Sequence, residues 1–401
     1  MHRMLVMVVS TLILTGLGVG AGQSQTLEPR VARPAVGAPV APAAVRTAEA
    51  EGEGEKATRV NQWTVGVAGG QLEGTFARFA VELAKGFDDG EELRVLPVIT
   101  YGATENVSDL LYLKGVDIAI THGDVFEEYR KKKNISNIDK RINYISPMFV
   151  SEVYIIARPE IKSLKDLEGK TVSLGVKGAG QTVTGPIIFN RMGVHVNTVF
   201  MSNGIAYEKM KSGEIAALVH SGGKPNDFIT NLKVEPGFHL LEIPYSDAFA
   251  DYYVPTTISN KDYPNLVKEG EVLQSLGNLV VLAVYNWPAG SDRARRVERF
   301  IDYYFERFDK LKGPTFHPKW KEINLAGTVP GWIRYPYAEK VLTKMAAADG
   351  VKKRVLAGPE GAVPTASTTR QAGVAPEGVQ EMTDDQRLFE EFLDWKKKGR
   401  K

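Results

Sequence analysis

The segment GVKGAGQT, from Gly175 to Thr182, could carry chemistry because it nearly matches the phosphate-binding loop of ATPases. That loop reads G-x-x-x-x-G-K-[ST], and its Lys contacts the β- and γ-phosphates. Here Gln181 stands in the place of the Lys, and no later apolar strand ends in the Asp of a Walker B element. A dinucleotide fingerprint also fails, since Val183 occupies the position of its last glycine. The segment therefore favours neither an ATP site nor a dinucleotide site.

What remains is a glycine-rich turn between an apolar strand and a helix. Glycine lets the backbone approach a ligand closely, and the N–H groups at the start of the next helix favour an anion. Gln181, Thr182 and Thr184 add side chains that can form hydrogen bonds. Taken alone, a turn of this kind is more often a simple connection that binds nothing.

Four further polar turns follow other predicted strands. Their sequences are GVAGGQLEGTF, in which Thr75 stands at a helix start, TYGATEN, THGD and HSGGKPND. In open parallel sheets, ligands bind at the carboxyl ends of the strands. Five such turns together favour a binding cleft over five unrelated connections.

Two histidines also stand at strand ends. His122 lies two residues before Asp124, and His220 follows a later apolar strand. A His–Asp pair could act in acid–base catalysis, but no Ser or Cys lies on a recognisable nucleophile elbow. We therefore interpret both histidines as hydrogen-bonding residues of the cleft. We expect no catalytic residue, no metal and no cofactor.

The elements that must position these turns alternate regularly between strand and helix. QWTVGVA is a predicted strand, and TFARFAVELAKGF has apolar residues at helical spacing. This βα rhythm requires parallel strands with right-handed crossovers, and it restarts after SEVYIIARPEI. We predict an α/β fold of two lobes, each a mostly parallel sheet flanked by helices. Two extended segments form the hinge, and the cleft lies between the lobes.

Changes in composition divide the chain into segments. The predictions are a signal peptide (1–22), a disordered Pro- and Ala-rich linker (23–60), lobe 1 (61–150 and 255–349), lobe 2 (151–254), a second disordered linker (350–382) and an amphipathic helix (383–401). In the last segment Leu388, Phe389, Phe392 and Leu393 share one apolar face. That face either packs back on the body of the protein or binds a partner protein.

Composition and the N-terminus indicate the compartment. The 401 residues carry a formal net charge of +2 without a basic cluster, so we expect no nucleic-acid binding. Arg3, an apolar stretch and small residues then follow the layout of a secretory signal peptide, the alternative being an uncleaved membrane anchor. There is no cysteine, which excludes disulfides and a lipid attached through cysteine. We expect a periplasmic protein that is not a lipoprotein.

The five turns, in this order, resemble those of the TAXI family of extracytoplasmic solute-binding proteins, which are associated with tripartite ATP-independent periplasmic (TRAP) transporters. Matching stretches include GVAGGQLEGTFARFAVELAK, IKSLKDLEGKTVSLGVKGAGQTVT and HPKWKEINLAGTVPGWIRYPYAEKVL, and the similarity covers about residues 65–342. The resemblance implies a fold like that of type II periplasmic-binding proteins. It also implies a small anionic solute, such as glutamate or another carboxylate.

Carried over by position, the resemblance implies ligand-binding residues in all five turns. They are Gly69, Gly70, Gly74, Thr75, Thr104, Glu105, Asn106, His122, Asp124, Gly178, Gly180, Gln181, Thr182, Ser221, Gly222 and Lys224. The chain departs from the family in three of the turns, which are numbered in chain order. In the third turn His122-Gly123-Asp124 replaces Gln-Ser-Asp, and in the fourth turn, GVKGAGQT, Ala179 lacks a hydroxyl. The fifth turn, HSGGKPND, is polar. Lys224 would either pair with a second anionic group of the solute or lie in solvent.

The sequence thus predicts an exported solute-binding protein without catalytic activity, which presents its solute to a TRAP-type membrane transporter. Two alternatives stay open. One is a sensor or scaffold with the same fold, whose C-terminal helix docks a protein partner. The other is an extracytoplasmic enzyme that uses His122 and Asp124.

Overall fold

The computed structural model describes residues 43–131, 135 and 137–348. The α-helices in this part of the chain are α1 (Ala43–Gln62), α2 (Thr75–Phe87), α3 (Ala103–Tyr112), α4 (Gly123–Lys131), α5 (Ile138–Arg141), α6 (Gln181–Met192), α7 (Asn203–Lys211), α8 (Asp227–Thr230), α9 (Asp292–Arg307) and α10 (Pro336–Ala348). Among these described residues, no helix combines the length and apolar character needed to cross a bilayer. The predicted signal peptide (1–22), second linker (350–382) and C-terminal helix (383–401) lie outside the described residues.

The strands of the same part form one mixed sheet. They are β1 (Thr64–Ala68), β2 (Arg94–Val98), β3 (Ile118–His122), β4 (Ile142–Ala157), β5 (Thr171–Ser173), β6 (Asn197–Val199), β7 (Ala217–Gly222), β8 (His239–Leu240), β9 (Tyr253–Ser259) and β10 (Val272–Tyr285). Their order is β2-β1-β3-β10-β4-β7-β5-β6, with β8 beside β4 and β9 beside β10. The predicted α/β fold is confirmed.

Two long antiparallel strands, β4 and β10, join the halves of the sheet. On one side β1 lies parallel to β2 and β3, and on the other β5 lies parallel to β6 and β7. All 16 residues of β4 are buried because it runs through the middle of both halves. The halves are two lobes, each with its own apolar core.

The helices that begin at the cleft follow directly from strand ends. β1 leads into α2, β2 into α3, β3 into α4 and β5 into α6. The helix predicted from TFARFAVELAKGF is α2, and its residues Phe76, Phe79, Leu83 and Phe87 are buried in the first core. This apolar stripe holds α2 against the sheet, so its first turn stays at the carboxyl edge of the strands.

The lobe boundary differs from the prediction, which placed the chain back in lobe 1 from residue 255. Ile258 and Tyr263 lie in the core of the second lobe, and so does Leu276. The physical reason is that β9 pairs with the first half of β10 and both stay with the second lobe. The chain returns within β10, whose residues Val280 and Leu282 belong to the first core.

Part of the segment predicted as a disordered linker (23–60) is helical, because α1 occupies Ala43–Gln62. Ala and Glu are frequent in α1 and have high helix propensity. A helix can therefore form there without an apolar stripe, which is the pattern that predicts the amphipathic helices of the body. The part of the linker before Ala43 lies outside the described residues.

Candidate functional site

A cavity of about 50 Å³ lies between the two lobes, where the five turns meet. Eight of the predicted residues line it: Gly70, Gly74, Thr75, His122, Gly180, Gln181, Ser221 and Gly222. His220 also lines it, as expected for a hydrogen-bonding residue of the cleft. The rest of the wall consists of Gln71, Phe76, Tyr101, Gly102, Ala103 and Ala179, most of which stand next to predicted residues in the same turns.

The other eight predicted residues do not line this cavity. They are Gly69, Thr104, Glu105, Asn106, Asp124, Gly178, Thr182 and Lys224. Most of them hold the turns in place or hold the lobes together, as the contacts below show. Their positions in the turns are those predicted, but their polar atoms are directed elsewhere.

Two helices begin at the cavity with N–H groups that have no protein partner. The cap of α2 is Gly74, which offers no side-chain hydrogen bond, and the N–H groups of Thr75 and Phe76 donate to no described atom. At α6 the N–H group of Gln181 is likewise unpaired among the described residues. All three residues are buried, and buried N–H groups are costly when unpaired. These helix starts therefore favour the binding of a solute that carries hydrogen-bond acceptors.

The start of α3 is filled by the opposite lobe. The N–H groups of Thr104 and Glu105 both donate to the carbonyl oxygen of Gly178, each at 3.0 Å. The hydroxyl of Thr104 donates to the carbonyl oxygen of Ala179, also at 3.0 Å. Gly102 permits this close approach: its φ of 132° suits glycine, and a side chain there would press on Ala179. A protein carbonyl thus occupies the place where we expected part of the solute.

Gly180 and His122 make a second close approach between the lobes. A Cβ atom on Gly180 would overlap the Nδ1 atom of His122 and lie 3.2 Å from the Cβ atom of Ala103. The His122 ring in turn packs edge-on against Phe76, with ring centroids 4.9 Å apart. Only glycine at position 180 therefore lets α6 approach the first lobe this closely.

His122 is a neutral group with unused hydrogen-bonding capacity. Its side chain is buried, and neither Nδ1 nor Nε2 has a partner among the described residues. Burial lowers the pKa of His122, although the nearby Asp124 acts in the opposite direction. A neutral imidazole carries one donor and one acceptor, so His122 can bind either kind of solute atom.

His220 faces the cavity from the second lobe as a donor. The amide nitrogen of Asn203 lies 2.9 Å from Nδ1 of His220. Because that amide nitrogen can only donate, Nδ1 accepts and the proton of the neutral ring lies on Nε2, which has no partner among the described residues. Burial lowers the pKa of His220 to about 4, although the side chain of Asn226 acts in the opposite direction, and His122 adds to the effect of burial. The ring is therefore neutral at pH 7.

Asp124 connects the lobes rather than lining the cavity. Its Oδ2 atom accepts hydrogen bonds from the hydroxyl of Thr184, at 2.6 Å, and from that of Tyr253, at 2.8 Å. Both donors belong to the second lobe. No hydrogen bond joins Asp124 to His122, whose ring nitrogens are unpaired among the described residues.

Asn106 holds strand ends of the first lobe in place. Its amide nitrogen donates to the carbonyl oxygens of Gly69 and of Ile120, the latter at 2.7 Å. Its amide oxygen accepts from the hydroxyl of Thr100 at 2.6 Å. The side chain is fully buried, and its bonds join the turns after β1 and β2 to strand β3.

The remaining polar residues of the fourth and fifth turns bind within their own lobe. The hydroxyl of Thr182 donates to the carbonyl oxygen of Ala179 at 2.6 Å. The ammonium group of Lys224 donates to the carbonyl oxygen of Thr257 at 2.9 Å and lies 3.9 Å from the carboxyl group of Asp262. Lys224 therefore points along the second lobe and away from the cavity.

The fifth turn is also tied to the first lobe, by residues that we did not predict. Asn226 donates to the hydroxyl of Thr75, which lies 3.3 Å from the carbonyl oxygen of Gly223. Nε2 of His317 donates to the carbonyl oxygen of Pro225 at 3.1 Å. His317 comes from a distant part of the chain, and no local pattern in the sequence indicates its role.

The cavity wall determines what the site can hold. None of its lining residues is Lys, Arg, Asp or Glu, so recognition depends on helix N–H groups and neutral side chains. Ligand pockets commonly measure about 300–1,000 Å³. A cavity of about 50 Å³ admits a solute of only a few heavy atoms while the lobes are this close.

Comparisons with known proteins place the chain in a family. The NMT1-like family matches residues 69–328, which is more than half of the chain. Similar solved structures include holo ArgBP from T. maritima, with 17% identity, coverage of 64% of this chain and 93% of that chain, and a TM-score of 0.37. The amino acid ABC transporter substrate-binding protein AbpA from Streptococcus pneumoniae, bound to L-arginine, has 16% identity, coverage of 66% and 98%, and a TM-score of 0.35.

The effector-binding domain of QuiR in complex with shikimate is similar at 11% identity, with coverage of 61% of this chain and 97% of that chain and a TM-score of 0.37. Arginine and shikimate are ligands of those proteins. At these identities and TM-scores, the similarities carry no argument about the solute of this chain.

Proposed function

This chain belongs to the NMT1-like family, and we propose that it is a solute-binding protein whose two lobes close on a small solute. One observation carries the proposal. Unpaired N–H groups at the starts of α2 and α6, together with unpaired nitrogens of His122 and His220, surround a single cavity between the lobes. Buried polar groups without a protein partner are uncommon, so a solute is their natural partner.

We propose that the solute is a short carboxylate. Two helix N-termini and the Nε2–H group of His220 favour negative charge at the cavity. Neutral donors also allow easier release than a Lys or Arg would, because no ion pair has to be broken. The absence of Asp and Glu from the lining argues against a guanidinium or ammonium group in the cavity. A solute as large as glutamate requires a wider separation of the lobes.

We also propose that the protein is of the TAXI type and serves a TRAP transporter. It rests on the five turns in their order and on the two-lobed fold, whose closure would signal occupancy to a membrane partner. Export to the periplasm rests on the N-terminal residues 1–22, which have the composition of a signal peptide.

We propose binding without catalysis. The enzyme alternative needs His122 and Asp124 to act together, but no hydrogen bond joins them, and Asp124 is already bound to Thr184 and Tyr253. Replacement of His122 by Gln should lower the affinity for the solute, with no turnover in either protein. Turnover of a bound carboxylate by the natural protein, lost in His122→Gln, would establish the enzyme instead.

A thermal-shift panel on the full chain tests the proposed solute class. The panel contains formate, acetate, pyruvate, lactate, succinate, glutamate, arginine and inorganic phosphate. A solute at 100 times its Kd stabilises the folded protein by about 2.7 kcal/mol. We expect the short carboxylates to raise the Tm and their amides, acetamide and lactamide, to leave it unchanged. Stabilisation by arginine, or by an amide as strongly as by its acid, would contradict a carboxylate site.

A further inference from the structure

A second, larger cavity lies on the first lobe and shares no lining residue with the cleft. It is a groove of about 310 Å³ between the end of α9, the segment 323–326 and α10. Its wall is mainly apolar and includes Phe305, Phe308 and Leu342. The charged residues at its rim, Asp309 and Lys312, pair with each other at 2.9 Å. The groove therefore offers apolar surface and little unpaired charge.

The groove lies where the described part of the chain ends. Met345 and Ala346 belong to its wall, and α10 ends at Ala348. The chain continues for residues 349–401, so the groove is next to the point from which that segment departs. Residues 349–382 could span on the order of 100 Å when extended, which is ample to lead back to the groove.

The end of the chain has the side chains that such a groove accepts. Leu388, Phe392 and Trp395 follow the spacing i, i+4, i+7, the pattern by which an amphipathic helix enters an apolar groove. Thr383 and Gln386 stand at the spacing of a capping box ahead of them. The Lys run 396–398 comes after the last apolar residue and can remain in water.

We propose that residues 383–395 form an amphipathic helix that docks into this groove of the same chain. The tether favours this occupant over a partner protein or a second copy. Covalent connection to α10 keeps the segment at an effective concentration on the order of millimolar, whereas a separate molecule is far more dilute. Docking covers the apolar wall formed by α9 and α10 and completes the core at the end of the first lobe.

The chain contains no cysteine, so a cysteine pair can test this contact without interference. In the full chain we combine Met345→Cys with Phe392→Cys and follow disulfide formation under mild oxidation. The matched control combines Lys344→Cys with Phe392→Cys, because Lys344 is exposed on α10 and does not line the groove. We expect a disulfide within the monomer to form at least tenfold faster in the first protein, and the difference to vanish in urea.

Equal rates in the two proteins would overturn the proposal, and so would disulfide-linked dimers, which indicate a second copy in the groove. Hydrogen exchange provides an independent readout. In the full chain, Leu388→Asp combined with Phe392→Asp should speed amide exchange in α10 at least tenfold. Arg387→Asp, a change of charge outside the apolar set, should not. Unchanged exchange in the double variant would also overturn the proposal.

Discussion

Three helices begin at the cleft after a glycine cap, yet their first N–H groups have different partners. At α2 and α6 these groups lie at the cavity without a protein partner. At α3 two of them bind the carbonyl oxygen of Gly178 on the opposite lobe. The local sequence is of one kind, a strand, a glycine and a helix start. The same signature therefore serves solute binding at two places and lobe closure at the third.

The difference arises from the position of the second lobe and not from the helices themselves. The fourth turn brings its carbonyl groups to α3 because Gly102 and Gly180 leave room for it. It leaves the start of α2 open, where the neighbouring fifth turn contacts the side chain of Thr75 and not its N–H group. Solute and opposite lobe thus act on the same edge of the sheet, and closing the lobes shapes the cavity.

The strongest test of this comparison is Gly180→Val, which we expect to abolish high-affinity binding. The added side chain would overlap His122 when the lobes are closed, and the two residues belong to different lobes, so folding of each lobe is unaffected. We expect the affinity for the solute identified by thermal shift to fall at least about 100-fold, or 2.7 kcal/mol, by titration calorimetry.

Gly204→Val in α7 is the matched control, because a Cβ atom there meets nothing within 4 Å. Small-angle scattering should show that the position 180 variant stays open when solute is added, while the control closes. Unchanged affinity in Gly180→Val would mean that the solute binds elsewhere.

Asn106→Leu should affect stability more than binding. The buried amide joins two turns, at Gly69 and Thr100, to strand β3 at Ile120, and leucine would remove all three hydrogen bonds. We expect the free energy of unfolding in urea to fall by about 3 kcal/mol. Ser221→Ala, at the cavity wall, should change it by less than about 0.5 kcal/mol. Similar stability in the two variants would remove the distinction between residues that hold the turns and residues that face the solute.

Much of the fold could be predicted from the sequence because its signals are local. The helix predicted from Thr75 to Phe87 is α2, whose apolar residues recur at helical spacing. The carboxyl ends of β1, β2 and β3 share one edge of the first half of the sheet, and those of β5 and β7 share one edge of the second half. Because these two sets of strands run in opposite directions, their carboxyl ends face each other and the five turns meet. The hinge was harder, since β10 is a single apolar strand that belongs to the second lobe at its start and to the first at its end.

Which residues face the cavity could be predicted only in part. Thr75 and Thr104 both stand at helix starts after glycine-rich turns, and both are plausible ligands by type. Thr75 lines the cavity, whereas Thr104 binds Ala179 of the opposite lobe. That outcome depends on how two lobes meet across more than 70 residues of sequence, as does the role of His317. Local patterns contain no information about such contacts.

Acidification should destabilise the folded protein through His220, whose side chain lines the cavity. Burial lowers the pKa of His220 from 6.5 to about 4, so the unfolded chain binds more protons between these values. Stability is therefore complete above about pH 6.5 and is lost as the pH falls towards 4. From pH 7 to 5 we expect His220 to contribute a loss on the order of 2 kcal/mol in the free energy of unfolding.

Replacement His220→Gln should flatten this pH dependence when unfolding is followed in urea at several pH values. Ser221→Ala serves as the control, because it changes the same cavity wall without removing an imidazole and should keep the slope of the natural protein. An equal slope in the natural protein and in His220→Gln would show that the imidazole is not held neutral by the closed lobes.

The smallest effect, and the most specific one, concerns two threonines that donate to the same carbonyl oxygen, that of Ala179. Thr104 reaches it from the first lobe and Thr182 from within the second. The bond from Thr104 joins the two lobes, whereas the bond from Thr182 lies within the second lobe, so opening the lobes should break the first bond alone. Thr104→Val should therefore lower the affinity about fivefold, or by about 1 kcal/mol, because it weakens the closed state alone. Thr182→Val should leave the affinity nearly unchanged.

Since Thr104 does not line the cavity, titration calorimetry should show the same factor for every solute that binds. A factor that varied from one carboxylate to another would mean that the start of α3 contacts the solute after all.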